Sequence, residues 1–201
     1  MGPAEVAPLP ALRTALSHAR GVGYGWVPRA LRTTSVDALT AEVEGRDFTP
    51  LPDEVGQVRQ GAEELVVAVG DPDLPVMAQL ARALCHAVVI AGSDLGFGRY
   101  RPQEATYLRY RGPGAGISPH RDARQYLLLV AIFTLVGQAP FRVVADRAGR
   151  DVLASWLTLP GDLCLLRAPR VGGEAEGRPL HAVGPPLDSE RLSLAFRMSG
   201  Y

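Results

Sequence analysis

The chain has 201 residues, and its 21 basic and 21 acidic residues cancel to zero net charge. That length suits one domain with a real core, roughly 70% of the unfolded surface being hidden on folding, and an apolar content of 47% excludes wholesale disorder. Every basic residue is arginine and neither lysine nor asparagine occurs, a mark of GC-rich coding, while zero net charge argues against sequence-independent nucleic-acid binding.

The first five residues carry no basic and apolar leader, and Val6 breaks a myristoylation pattern. Residues 10–20 place Leu12, Ala15, Leu16 and Ala19 at helical spacing, with Gly21 as the expected stop. Ser35 is the expected cap of a short helix through Val43, which Gly45 ends. Residues 63–69 form an apolar run of undetermined type. Pro75 opens a stronger helix to Gly92, with Val76, Leu80, Ala83, Leu84, Ala87 and Val88 on one face.

From Glu104 the texture changes to short β-branched runs between glycines and prolines. Strands are expected at 104–110, 126–136, 141–146, 152–158, 162–167, 180–183 and 191–198. Such a series predicts a sandwich, barrel or jelly roll, with the N-terminal helices covering one outer face. No repeat or low-complexity tail divides the chain, so one domain over 1–201 is expected, helical over 1–103 and β over 104–201. The longest uncharged apolar run, 127–137, falls short of the ~18 residues that span a bilayer, so a soluble, cytoplasmic protein without a membrane partner is expected. Cys85 and Cys164 read as buried thiols and Trp156 as a core anchor.

Chemistry concentrates in the β half. Of the four histidines, His18 and His86 sit in the helices and read as structural. His120 and Asp122 form H-x-D, and in extended chain residues two apart point to one side. His181 can supply a third ligand from a distant strand. Two imidazoles and one carboxylate on one face of a metal suit a non-haem Fe(II) oxygenase. Ten residues on, alternation sets Arg191, Ser193, Ala195 and Arg197 on one strand face and Leu192, Leu194, Phe196 and Met198 on the other. With the apolar face in the core, the basic face needs an anion, because an unpaired buried charge is costly. Arginine offers a planar fork for a carboxylate, and the serine hydroxyl adds a donor.

On these residues, roughly 104–199 resemble the Fe(II)/2-oxoglutarate-dependent dioxygenase superfamily and its double-stranded β-helix core. H-x-D, then His, then Arg-x-Ser is similar to oxygenases of plant and antibiotic biosynthesis. Arg191 to Arg197 with Phe196 between, and Arg109-Tyr110 ahead of the Gly112–Gly116 turn, look like AlkB-type demethylases. Residues 159–166, with Gly161-Asp162, resemble the Gly-Asp strand before the last histidine. The resemblance implies that His120, Asp122 and His181 bind Fe(II), that Arg191 and Ser193 hold the distal carboxylate of 2-oxoglutarate, and that Arg197 and Tyr110 approach its other end. It implies O2-dependent decarboxylation of 2-oxoglutarate to succinate and CO2, coupled to substrate oxidation with hydroxylation as the default. Retention of Asp122 disfavours a halogenase.

Two departures from the AlkB type bear on the substrate: Leu108 stands where that group has asparagine, and Arg124 where it often has an acid. No basic, aromatic nucleotide lid is visible in the first hundred residues. The expected substrate is therefore a small molecule, anionic if Arg124 follows the parity of His120 and Asp122 into the site. Tyr107 and Tyr126 either line the cavity or pack beneath it. Arg99, Arg101, Arg109 and Arg111 alternate with tyrosines as in a single-strand binder, yet read as solvated or paired. The alternatives are an AlkB-type nucleic-acid demethylase and a non-catalytic cupin-like binding module.

Overall fold

A computed structural model describes residues 6–112, 114–173 and 177–200; the leader reading of the first five residues and position 113 of the Gly112–Gly116 turn lie outside them. In chain order the elements are α1 (Leu9–Val22), β1 (Tyr24–Val27), α2 (Thr33–Ala41), β2 (Thr49–Pro50), β3 (Glu54–Val55), β4 (Val58–Gly61), β5 (Glu63–Ala68), α3 (Pro75–Gly92), β6 (Glu104–Arg111), β7 (Gly116–His120), β8 (Tyr126–Val136), β9 (Ala139–Val144), β10 (Val152–Thr158), β11 (Leu163–Arg167), β12 (Leu180–Val183) and β13 (Glu190–Ser199).

The helices form where the periodicity places them, but their ends differ from expectation. Gly21 stays helical, and α1 stops at Gly23, whose φ of 97° lets its N–H reach the Ala19 carbonyl. Ser35 caps nothing: α2 begins two residues earlier, and Ser35 lies in its first turn. For α3 the bounds agree, and its start is held from afar. The Glu42 carboxylate accepts the N–H groups of Val76 (2.5 Å) and Met77 (2.9 Å), which satisfies orphan donors at the positive end of the helix dipole. Residues 75–95 have the length and composition of a membrane span, yet Met77, Leu80, Ala81, Leu84 and Val88 are buried in the core.

Two antiparallel sheets make the sandwich. The larger runs β1-β11-β8-β13-β6-β5-β2 and the smaller β10-β9-β12-β7-β4-β3. The first hundred residues therefore supply more than helices, since β1 to β5 extend both sheets. The 63–69 run becomes β5, paired in register with β6 from Glu63↔Arg109 to Ala68↔Glu104.

The core has two layers, and β13 separates them. Leu192, Leu194 and Phe196 join Leu12, Leu16, Leu80, Leu84 and Tyr107 between helices and larger sheet. Tyr110, Ile117, Val130, Phe141, Val143 and Val183 fill the space between the sheets. This is a jelly-roll core with helices on one outer face. Trp156 is not a central anchor: half-buried on the edge strand β10, it stacks on Phe141 (5.1 Å), Trp26 (5.9 Å) and Tyr24 (6.0 Å), closing the β1–β10 end. Cys164 is buried, whereas Cys85 is half-buried with its thiol on the Tyr100 carbonyl; both are free.

Strand β1, which the short Gly-containing run concealed, is fixed by close approach. A Cβ on Gly25 would stand 2.2 Å from the Ala15 carbonyl oxygen, where α1 crosses the strand. Gly25→Ala should push α1 off the sheet and cost about 2 kcal/mol or more, read as a drop of roughly 5 °C in thermal melting.

Candidate active site

Strands β7 and β12 bring the histidines together. Their antiparallel register sets His181 directly opposite His120, and the next pair is Val183 with Ile117. Between these pairs Ser118 and Pro119 on β7 thus oppose the single Ala182 on β12, a bulge that includes Pro119, which has no N–H to give the ladder. Ile117 and His120 would face opposite ways on a regular strand; with the bulge both line the same cavity. Gly116 permits the approach, since a Cβ there would lie 2.6 Å from the Val183 carbonyl oxygen.

Beyond His120 the strand ends, and Asp122 reaches the site from a loop and not by strand alternation. Arg178 holds that loop by donating to the Asp122 carbonyl (2.5 Å), and Arg121 donates to the Arg178 carbonyl (3.1 Å). His181 Nε2 and Asp122 Oδ2 stand 4.0 Å apart, the two imidazole centroids 4.2 Å apart, and the nearest ligand atoms of all three residues lie within 4.8 Å of one another.

Each ring presents the same nitrogen. His120 Nδ1 bonds the Ser118 carbonyl (3.0 Å) and His181 Nδ1 the Pro179 carbonyl (3.3 Å). A carbonyl only accepts, so Nδ1 carries the proton and Nε2 keeps its lone pair for a metal. Burial, with His120 alongside, pushes the His181 pKa down to about 4, leaving a neutral imidazole, the ligand form, at pH 7. Phe141 stacks on His181 at 5.5 Å and 7° between planes, which fixes the ring further.

Behind the triad, β13 supplies the cations. Arg191 is 1% exposed. Its guanidinium donates to Thr134 Oγ1 (3.2 Å) and lies 5.3 Å from the Tyr110 ring centre, and among the described residues no carboxylate is within ion-pair reach. Its Nε and the Ser193 hydroxyl are buried without partners. Arg197 differs: it bonds Glu104 (3.3 Å) and Thr106 and sits 5.2 Å from the Tyr126 ring centre. Burial raises the Tyr110 phenol pKa, so the group stays protonated.

One cavity of about 210 Å³ joins these groups, lined by the triad, Tyr110, Arg191, Ser193 and Arg197. Two expectations are corrected. Tyr107 faces the helix layer, because β6 alternation turns Leu108 and Tyr110 inward and Tyr107 outward. Arg124 is exposed in a turn after β7 has ended, so its parity with His120 and Asp122 is lost. Tyr126, half-buried, lies beside Arg197 with its hydroxyl on Glu104 (3.2 Å), outside the cavity wall. Arg109 and Arg111 are paired with Glu63 and Glu190. Sequence reading missed Thr134, whose only signal is its inward parity with Ile132, and the cavity-lining Leu51, just past the two-residue β2, Gln60 on the short β4, and Glu64 on the 63–69 run whose type periodicity left open.

No protein-family model matches the chain, and no curated protein resembles it in sequence. Solved structures do. A Pseudomonas putida prolyl-4-hydroxylase superposes with a TM-score of 0.68 at 22% identity, covering 95% of this chain and all of that one. The fold is that of the Fe(II)/2-oxoglutarate oxygenases. A prolyl hydroxylase from Trichoplax adhaerens, in complex with a hypoxia inducible factor peptide fragment, gives 0.65 at 14% identity over 94% of this chain and 89% of its own. SnoN, a non-haem alpha-ketoglutarate-dependent epimerase of nogalamycin biosynthesis, gives 0.64 at 18% over 96% and 84%.

The donor set fits Fe(II): two imidazoles, each with Nδ1 engaged by a carbonyl and Nε2 left over, converge with a carboxylate at a cavity wall. Asp122→Ala and His181→Ala should each weaken Fe(II) or Mn(II) binding by at least ~100-fold in anaerobic calorimetry, beyond the loss expected of an outer-shell residue. Arg124→Ala should leave it within about twofold, since that residue is exposed and not part of the cavity lining.

Proposed function

We propose that this protein is an Fe(II)- and 2-oxoglutarate-dependent oxygenase that hydroxylates a C–H bond of a small molecule. The observation that carries the proposal is the buried Arg191, with no carboxylate partner among the described residues and an unpartnered hydroxyl beside it, in the cavity that holds the triad. Leaving a guanidinium so buried costs several kcal/mol unless an anion meets it. A dicarboxylate answers that need at one end and offers ligand atoms to a metal at the other.

His120, Asp122 and His181 would hold the iron, and Arg191, Ser193 and Thr134 the distal carboxylate of 2-oxoglutarate. When bound, iron, O2 and 2-oxoglutarate supply C–H oxidation coupled to release of succinate and CO2. The chain itself does three things. The Nδ1–H bonds to Ser118 and Pro179 keep both Nε2 atoms aimed inward. The protonated Tyr110 hydroxyl is available to donate toward the cosubstrate. Leu108, Ile132, Phe141 and Val183 keep the cavity dry, which strengthens every polar contact inside it.

At about 210 Å³ the cavity is smaller than the ~300–1,000 Å³ of pockets that engulf a drug-sized ligand. With 2-oxoglutarate in place only the reacting part of a substrate enters, and the remainder lies at the mouth. Of the cations that line the cavity, Arg191 faces the cosubstrate and Arg197 is paired with Glu104, which leaves none there for a phosphate backbone and speaks against a nucleic-acid substrate. A peptide presenting one side chain is the second reading, favoured by the peptide-bound Trichoplax structure.

Arg191→Ala should weaken 2-oxoglutarate binding by ~100-fold or more, as expected when one half of a buried charge pair is removed, while Fe(II) binding persists. Anaerobic titration of the metal-loaded protein reads this directly, and unchanged affinity would overturn the cosubstrate assignment. Succinate formation should require Fe(II) and O2, and methylated oligonucleotides should yield no formaldehyde.

A further inference from the structure

Among the described residues, the glutamates on the strands around the cavity are paired with arginines except one. Glu63 takes Arg109 (2.5 Å), Glu104 takes Arg197 (3.3 Å) and Glu190 takes Arg111 (2.9 Å). Glu64 lines the active-site cavity, half-buried, and among the described residues no side chain forms an ion pair or hydrogen bond with its carboxylate. Register fixes its place. Glu64 pairs with Leu108 on β6, Leu108 with Ser193 on β13, and Ser193 with Thr134 on β8. Strands lie ~4.8 Å apart, so the Glu64 backbone stands about 10 Å across the sheet from Ser193. Gln60, on the opposite sheet, lines the same cavity, and among the described residues its amide also has no hydrogen-bond partner.

The cavity wall thus carries two arginines on β13 and, two strands across the larger sheet, one carboxylate without a partner among the described residues. A carboxylate drawn partly out of water with no counter-charge is unfavourable unless a cation completes it. Of the two arginines that line the cavity, Arg191 is taken by 2-oxoglutarate in the reading above and Arg197 is paired with Glu104, so neither is left for an anionic substrate.

We propose that Glu64, with Gln60 beside it, is a specificity-determining residue that recognises an alkylammonium or alkylguanidinium group on the substrate, so that the oxidised C–H bond lies on the chain between that cation and the metal. This rests on the oxygenase reading above and names its substrate class.

A matched series tests it without knowledge of the natural substrate: n-butylguanidinium, its neutral isostere n-butylurea, and pentanoate. Binding is measured by calorimetry or ligand-observed NMR on the protein alone, and again with Fe(II) and 2-oxoglutarate under anaerobic conditions. The wild-type protein should prefer n-butylguanidinium over n-butylurea by roughly tenfold or more, the worth of one charge-assisted hydrogen bond. Glu64→Gln should bring that ratio within about twofold, and Glu64→Lys should turn the preference toward pentanoate. A wild-type ratio near one, or a cation preference that survives both substitutions, overturns the assignment; the wild-type ratio alone suffices if a variant does not fold. Failure of 2-oxoglutarate to bind the metal-loaded protein would instead sink the oxygenase reading, while the metal-free ratios still decide Glu64. A pentapeptide with a central arginine, against one with citrulline, separates a peptide source of the cation from a free small molecule.

Discussion

The register between β7 and β12 is the constraint on which the site depends. Only when His181 faces His120 do two imidazoles from chain positions far apart open on one point, and a slip of one residue would turn one ring to the outside of the smaller sheet. Three local features hold that register. Pro119 removes a ladder donor and admits the bulge, Gly116 gives the backbone of β12 room, and β9 pairs the other edge of β12 from Leu180 to Val183. The third ligand needs no strand. Asp122 arrives on a loop tied by its own carbonyl to Arg178, which leaves the carboxylate oxygens uncommitted.

The same economy appears in the arginines. Along β13, Arg191 and Arg197 share a face and differ only in what surrounds them. Arg197 has Glu104 within 3.3 Å and is internally compensated; Arg191 has a neutral hydroxyl and an aromatic face. A fold does not hold an uncompensated buried guanidinium for stability, because that choice works against it by several kcal/mol. Its opposite face supplies the means. Burying Leu192, Leu194 and Phe196 against the helices contributes on the order of 5–9 kcal/mol before entropy, enough to keep the strand in place with its charge unmet.

Much of this was legible in the residues. The apolar and polar faces of 191–198 are those found, strand 126–136 coincides with β8, and the H-x-D, His and Arg-x-Ser residues do come together. What failed did so where alternation was extended past the end of an element. Arg124 was read as though β7 continued, and the chain turns instead. Tyr107 was open between two faces, and the choice needed the pairing of β6 with β5 and β13. Ser35 and Gly21 are good capping residues at positions where the helix does not end, since α1 has a stop two residues on and α2 starts without a side-chain cap. Strands β1 to β4 are two to four residues long, and their residues are sheet-forming because a sheet already exists beside them.

That dependence explains the first hundred residues, which carry none of the metal-binding side chains. Strand β13 presents its leucines and Phe196 outward to α1 and α3 and its arginines and Ser193 inward to the cavity, so each side of the strand sets the position of the other. Tyr107 does the same on β6, buried under the helices while its neighbours Leu108 and Tyr110 face the site. Stripped of the helices, those two strands would expose a continuous apolar face and lose the packing that fixes Arg191 to within hydrogen-bond reach of Thr134. The N-terminal half also supplies β5, the strand on which Glu64 meets the mouth, and with it the wall that separates this cavity from a bare jelly roll. The residues that could hold a metal belong to the second half of the chain; the packing that positions the strands around them comes in large part from the first.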